Sequence, residues 1–174
     1  MRFSPVLFPS LALLLAACSP KQPAAAPAPA AAPAPAAATG SASAPVAGPR
    51  VIDLVVGDNM KFSLKTITAS PGEELTVNLT SNGTLPKEAM AHNFVLLGKD
   101  VDSDAFMQSA ATAKATDYIP PELADQVLAH TKPLGPRQHD TITFKVPAVP
   151  GEYEYVCTFP GHALQGMRGM LIVK

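Results

Sequence analysis

The chain has 174 residues, a formal net charge of −1 at pH 7, 19 prolines and two cysteines. A charge this close to zero excludes the basic surface that nucleic-acid-binding proteins need. Two cysteines exclude a small scaffold held together by several disulfides.

Residues 1–17 have the features of a signal peptide: Arg2 precedes a short apolar stretch that is too short for a stable membrane-spanning helix. Residues 15–18 read Leu-Ala-Ala-Cys, which is typical of a bacterial lipobox, so Cys18 is predicted to be the lipidated N-terminus of the mature chain. The alternative is an ordinary export signal beside an incidental cysteine. Ser19 favours outer-membrane sorting. The sequence therefore predicts a lipid-anchored protein of the bacterial cell envelope, periplasm-facing or in the outer membrane.

Residues 18–49 form a low-complexity segment rich in alanine and proline. It lacks the branched apolar residues that build a core, so it is predicted to be a disordered tether. Proline favours an extended backbone, which would let the tether hold the domain away from the membrane.

Residues 50–174 are predicted to be one domain. Apolar and polar residues alternate in several short runs separated by Pro/Gly turns, which is typical of strands with one buried face. These runs favour an all-β, antiparallel sandwich, and their apolar members are Met60, Phe62 and Leu64; Leu75, Val77 and Leu79; Ile142, Phe144 and Val146; and Leu171 and Val173.

One helical segment interrupts the strands. An Ala-rich stretch from Ser103 to about Ala115 is predicted to form a short helical flap capped by Asp102 or Ser103. It carries the apolar residues Phe106, Met107 and Ala110.

The strongest chemical feature is the spacing Cys157-x4-His162-x4-Met167 near the C-terminus. A thiolate, an imidazole and a thioether on one short loop form a copper ligand set that lacks one equatorial ligand. His92 is the candidate for that position. With Cys18 assigned to the anchor, Cys157 has no disulfide partner and is either a buried small residue or a metal ligand.

Alternation along residues 152–157 places two tyrosines and Cys157 on one face of the last strand before the loop. Cys157 should therefore enter the interior at the end of that strand. His130 and His139 have no other candidate ligands beside them in the sequence and are predicted to face solvent.

These motifs make residues 50–174 resemble the azurin family of blue copper proteins. The spacing between the histidine and the methionine of the ligand loop is similar to that of auracyanin and plastocyanin. The resemblance is carried by residues 78–80 (Asn-Leu-Thr), 83–87 (Gly-Thr-Leu-Pro-Lys), 92–96 (His-Asn-Phe-Val-Leu), 130–132 (His-Thr-Lys) and 157–162 (Cys-Thr-Phe-Pro-Gly-His). It implies an eight-stranded Greek-key cupredoxin sandwich. The anchor and tether are similar to those of lipid-modified azurins.

The resemblance also implies roles for individual residues around one type 1 copper. His92, Cys157 and His162 would be equatorial ligands, with Met167 axial and the carbonyl of Ala91 a weak ligand on the opposite side. The side chain of Asn93 would brace the ligand loop. Backbone N–H groups near Asn93 and Phe159 would hydrogen-bond the thiolate.

An apolar patch made of Met60, Leu85 and Met90 would surround the exposed edge of His162, where redox partners dock. Plain packing at the end of the sandwich is the other interpretation of these three residues. The implied partners are c-type cytochromes or a terminal reductase or oxidase, with no small-molecule substrate.

Four features depart from the azurin pattern. The loop has four residues between His162 and Met167 where azurins usually have three, and Ala91 stands where most azurins have glycine. The cysteines of the azurin disulfide are absent. Ser81 occupies the position of a histidine linked to pH response, so no pH-dependent potential is expected by that route.

These features predict an electron-transfer protein and not an enzyme, because no acid, base or nucleophile accompanies the ligands. The main alternative is a copper-buffering lipoprotein that carries no current. A zinc-stabilised interaction module would keep the ligands but lose the redox chemistry.

Overall fold

The computed structural model describes residues 48–174. The predicted signal peptide at residues 1–17, the lipidation at Cys18 and the alanine- and proline-rich segment up to residue 47 lie outside the described residues. Within the described part, no helix is both long enough and apolar enough to span a membrane.

The described part contains eight strands and short helices. The strands are β1 (Arg50–Val56), β2 (Thr66–Ala69), β3 (Glu74–Ser81), β4 (Val95–Leu97), β5 (Val127–His130), β6 (His139–Lys145), β7 (Gly151–Val156) and β8 (Arg168–Val173). The α-helices are α1 (Lys87–Met90) and α2 (Ser103–Ala110), and 3-10 helices cover Lys114–Thr116 and Pro121–Gln126.

The strands form two sheets, ordered β1-β3-β6 and β2-β8-β7-β4-β5. This arrangement confirms the predicted β-sandwich. The sequence pattern favoured antiparallel pairing, and the remaining strand pairs are antiparallel, but β1 pairs with β3, and β2 with β8, in parallel. The chain crosses to the other sheet after β1 and crosses back after β2. As a result β3 returns beside β1 running in the same direction.

The main core lies between the two sheets and follows the predicted alternation. In β3, Leu75, Val77 and Leu79 are fully buried, while the residues between them are half-buried. The inward residues of β7 and β8 are Tyr153, Tyr155, Leu171 and Val173. Each large apolar side chain buried in this way stabilises the fold by about 1.5–3 kcal/mol.

The strand predicted from the alternation of Met60, Phe62 and Leu64 is absent, which corrects the sequence analysis. Residues 57–65 instead form an irregular crossing between the sheets, and Met60 has a positive φ of 53°. Phe62 is buried, and its ring meets that of Tyr155 edge-on at 5.2 Å. Leu64 is exposed, so only one of the three residues predicted to face the core is fully buried.

The predicted helical flap is confirmed as α2, inserted between β4 and β5. Asp102 caps it by accepting hydrogen bonds from the amides of Asp104 and Ala105. The helix ends at Ala110, earlier than expected, where the hydroxyl of Thr112 bonds the carbonyl of Ser109. The buried apolar residues of α2 join a second apolar cluster on the outer face of the five-stranded sheet, with members Val95, Leu97, Phe106, Met107, Ala110, Ile119, Val156 and Ala163.

Candidate metal centre

Three buried side chains, His92, Cys157 and His162, meet at one end of the sandwich. One ligand atom from each lies within 4.8 Å of the other two. The Sγ atom of Cys157 is 3.5 Å from Nδ1 of His162, and the two imidazole centroids are 4.9 Å apart. The structure therefore brings together the three residues that the sequence pattern selected.

The strands and turns explain this convergence. Cys157 directly follows β7 and continues the inward face of Tyr153 and Tyr155. The chain then turns sharply at Gly161, whose φ is +83°, and the amide of His162 bonds the carbonyl of Phe159 at 3.1 Å.

His92 lies on a different segment, before β4. Two backbone hydrogen bonds with Leu134, of 3.0 and 2.7 Å, form an isolated bridge that fixes its position. Its side chain is fully buried, yet neither ring nitrogen has a hydrogen-bond partner in the described part of the chain. Buried polar atoms normally have partners, so this imidazole has the environment of a metal ligand.

The donor set fits copper. A thiolate and a thioether favour Cu(I), imidazole accepts both oxidation states, and two histidines with one cysteine form the set of blue-copper sites. His92, Cys157 and His162 therefore provide a buried donor group that suits one type 1 copper.

Burial shifts the proton affinity of all three groups. It raises the pKa of Cys157 to about 11, although hydrogen bonds from the backbone amides of Asn93 and Phe159 lower it. Burial, followed by the charge of His92, lowers the pKa of His162 to about 4. Burial also lowers the pKa of His92, which the charge of Asp58 opposes. Without metal, neutral pH thus leaves a thiol and two neutral imidazoles, and a cation must displace the thiol proton.

Met167 is fully buried, and its backbone joins those of two candidate ligands. The amide of Cys157 donates to its carbonyl at 3.1 Å, and its own amide donates to the carbonyl of His162 at 3.0 Å. The carbonyl oxygen of Ala91 is 4.0 Å from the Cys157 sulfur. Both residues predicted as axial ligands are thus next to the three-residue group.

Asn93 connects the two halves of the site. Its side-chain oxygen accepts from the amide of Thr158 at 2.8 Å, and its NH₂ donates to the Thr158 hydroxyl at 2.7 Å. The ring of Phe159 lies 4.8 Å from that of His162. Sequence reasoning missed Thr158, since only the fold shows that its side chain faces Asn93.

The predicted docking patch is partly exposed. Leu85 is 43% exposed, Met60 and Met90 are half-buried, and His162 is only 3% exposed, so its solvent-facing edge is narrow. Sequence reasoning missed Leu164, which lies on the ligand loop and is 79% exposed. An apolar residue directly after a His-Ala pair in that loop was the available signal.

The remaining polar candidates are not members of the ligand group. His130 and His139 are exposed, which confirms that prediction. Ser81 is buried at the end of β3, where its backbone pairs with Arg137 and Gln138. Cys157 is a free thiol in the described part of the chain.

A family model described as "Copper binding proteins, plastocyanin/azurin family" matches residues 51–174. Azurin from Pseudomonas aeruginosa is 37% identical over 136 residues, which cover 76% of this chain and 90% of that protein. Outer membrane protein H.8 from Neisseria meningitidis serogroup B is 42% identical over 108 residues, or 60% of this chain. The matched part spans 57% of the H.8 protein's length.

Solved structures give the same result. Dithionite-reduced auracyanin from Roseiflexus castenholzii superposes with a TM-score of 0.63 at 33% identity, covering 73% of this chain and 99% of that one. Auracyanin A from Chloroflexus aurantiacus has a TM-score of 0.64 at 27% identity, with 73% and 100% coverage.

Proposed function

Because the chain belongs to the plastocyanin/azurin family of copper-binding proteins, we propose that it shuttles single electrons between periplasmic or membrane-bound redox partners. In this proposal His92, Cys157 and His162 are the equatorial ligands of its copper. The protein is a carrier and catalyses no reaction on a small-molecule substrate.

One observation carries the proposal: the three donor atoms converge in a buried pocket at the end of a rigid sandwich. All three residues are at most 3% exposed, so the donors are shielded from bulk solvent. Bound copper supplies a one-electron couple. The protein's part is to hold the ligands in one arrangement, so that little movement accompanies the gain or loss of an electron.

The rigidity comes from backbone bonds at each ligand. Leu134 holds His92 through two hydrogen bonds, and the carbonyl of Met167 accepts from the amide of Cys157. We assign the axial position to the Met167 thioether, with the Ala91 carbonyl as a weak contact on the opposite side. Amides at Asn93 and Phe159 donate to the sulfur and stabilise the thiolate.

Partners would dock over the apolar surface at the metal end of the sandwich, formed by Met60, Leu85 and Met90 together with Leu164. Asp58 shapes this surface by accepting hydrogen bonds from the amide and hydroxyl of Thr84, next to Leu85. A small apolar contact suits brief encounters with c-type cytochromes or a terminal reductase or oxidase.

We further propose that residues 1–17 are a signal peptide, that residues 18–49 are a tether lipidated at Cys18, and that residues 50–174 are the copper domain. The similarity to outer membrane protein H.8 supports a place in the cell envelope. Tethering would raise the local concentration of the domain near membrane-bound partners.

Spectroscopy and voltammetry of the copper-loaded protein test the function. We expect an intense visible band from copper–thiolate charge transfer, lost in Cys157→Ser and kept in His130→Ala, which changes an exposed histidine. We expect reversible one-electron voltammetry with rapid self-exchange. A protein that binds copper but does not cycle reversibly would be a copper buffer, and a colourless protein that prefers zinc would exclude both functions.

A further inference from the structure

Four backbone carbonyls in the ligand loop and at the start of β8 accept hydrogen bonds from cationic side chains. Lys61 donates to Gln165, Lys65 donates to Gly166 and, at 2.8 Å, to Arg168, and the Arg168 guanidinium donates to Ala163 at 3.0 Å. Both lysines are about a hundred residues away in sequence, on the crossing between β1 and β2.

Backbone amides of the ligand loop donate to carbonyls within the loop, whereas other carbonyls of the loop accept hydrogen bonds from side chains outside it. The amides of Gln165, Gly166 and Met167 bond carbonyls of residues 161–163 at 2.9–3.2 Å. The carbonyls of Gln165 and Gly166 accept from the lysines instead. Gly166 has a φ of +85°, and a Cβ there would lie 2.8 Å from the Lys61 ammonium. The lysine side chains therefore lie directly against this turn.

The two lysines are held together despite their like charges. Desolvation, followed by the charge of Lys61, lowers the pKa of Lys65. Among the described residues neither lysine forms an ion pair, whereas Arg168 pairs with Asp104 and Glu154. The loop carbonyls are thus the groups that offset the repulsion, and two uncompensated positive charges remain beside the site.

We propose that Lys61 and Lys65, with Arg168, form a carbonyl clamp that positions Met167 and raises the reduction potential of the copper. Lys65 binds the carbonyls on both sides of Met167, so it spans the residue assigned as the axial ligand. Nearby positive charge disfavours the more highly charged Cu(II) state. The clamp rests on the proposed axial role of Met167.

The clamp can be tested first without copper, on the full chain. In Lys65→Met, amide hydrogen exchange at Gly166 and Met167 should be about tenfold faster, the ratio expected on losing a charge-assisted hydrogen bond. Lys99→Met is the matched control, because Lys99 also donates to a backbone carbonyl, that of Pro150, at the other end of β7. Exchange at Val77 in the core should stay unchanged and shows that the variants fold.

The copper-loaded protein gives the second measurement. Lys65→Met should lower the reduction potential and change the copper hyperfine splitting in electron paramagnetic resonance. Lys99→Met, which removes the same charge elsewhere, should do neither, and Lys65→Arg should restore the exchange rates. If amide exchange at Met167 in Lys65→Met is as slow as in the unaltered chain, the clamp is overturned. If Lys99→Met lowers the reduction potential by the same amount as Lys65→Met, the proposed effect of the clamp on copper is overturned. A missing copper–thiolate band in the unaltered chain would overturn the proposed function instead, while the exchange result still decides whether the clamp exists.

Discussion

The side chain of Asn93 makes two hydrogen bonds with Thr158, one to its hydroxyl and one from its backbone amide. Both residues are buried. Asn93 follows His92 and Thr158 follows Cys157, so this pair joins two ligand segments that lie 65 residues apart. The arrangement of the donor atoms therefore depends on a buried polar contact outside the ligand group.

Replacing Asn93 with alanine should lower the free energy of unfolding by about 2–4 kcal/mol. The change removes both hydrogen bonds with Thr158 and a long one, of 3.5 Å, to the carbonyl of Asp117, and it leaves the buried Thr158 amide without its partner. Urea unfolding of the copper-free protein measures the loss. Asn78→Ala is the control, since the Asn78 side chain donates to Asp53 and accepts from the Thr141 hydroxyl, but in exposed positions. It should lose less than Asn93→Ala, because water can replace the lost partner at an exposed site. Equal losses would contradict a special role for Asn93.

The copper-free protein should lose stability as the pH falls from about 6.5 towards 4. Burial lowers the pKa of His92, and lowers that of His162 to about 4, so the folded state resists protons that the unfolded state accepts below its pKa of 6.5. Their contribution is complete above pH 6.5 and is lost below it, by up to about 1.4 kcal/mol per pH unit for each histidine. Urea unfolding at pH 7 and pH 5 measures this.

The loss of stability near pH 5 can be attributed to the histidines by excluding the acidic residues and by two further measurements. Asp58 and Glu73 also have lowered pKa values, because of hydrogen bonds from Thr84 and Arg50, but their contributions disappear only below their usual values of 3.8 and 4.5. The copper-loaded protein should show a smaller loss at pH 5, because bound ligands resist protonation. In the copper-free protein, His162→Ala should make the free energy of unfolding depend less on pH. A pH dependence as steep as that of the unaltered chain would refute the assignment to the histidines.

Gly169→Ala should destabilise the fold by about 1–3 kcal/mol through overpacking. A Cβ at Gly169 would overlap ring atoms and the hydroxyl oxygen of Tyr155. That ring is fully buried, and its hydroxyl bonds the carbonyl of Leu64 at 2.7 Å, so it cannot move aside. Gly57→Ala is the control, because its nearest neighbour would be at an ordinary 3.6 Å. Thermal unfolding of both variants measures the difference, and equal melting temperatures would show that the ring yields.

The candidate site was predictable from sequence because its information is local. Cys157, His162 and Met167 share one loop, and strand alternation already placed Cys157 on the inward face. His92 could be selected only as the ligand that completes the set. The carbonyl clamp was not predictable, because Lys65 and Gly166 are 101 residues apart and look like ordinary surface residues in the sequence.

The fold was predictable where one side of a strand faces the core and the other faces solvent, as in β3 and β7. Alternation failed at Met60, Phe62 and Leu64, because a segment crossing between sheets can bury one residue in an alternating pattern without pairing as a strand. The parallel pairing of β1 with β3 depends on the crossing to the other sheet, which residue patterns do not encode.

Leu164→Glu should slow electron self-exchange without changing the visible spectrum or the stability. Leu164 is 79% exposed on the ligand loop, so it packs against little, yet two copies meeting at their metal ends would place like charges together. Nuclear magnetic resonance line broadening in mixtures of oxidised and reduced protein measures the rate, and added salt should restore it. Val149→Glu adds the same charge at another exposed apolar residue, in the turn before β7 and at the opposite end of that strand from Cys157. Equal slowing in both variants would show that net charge, and not contact at the metal end, controls the exchange.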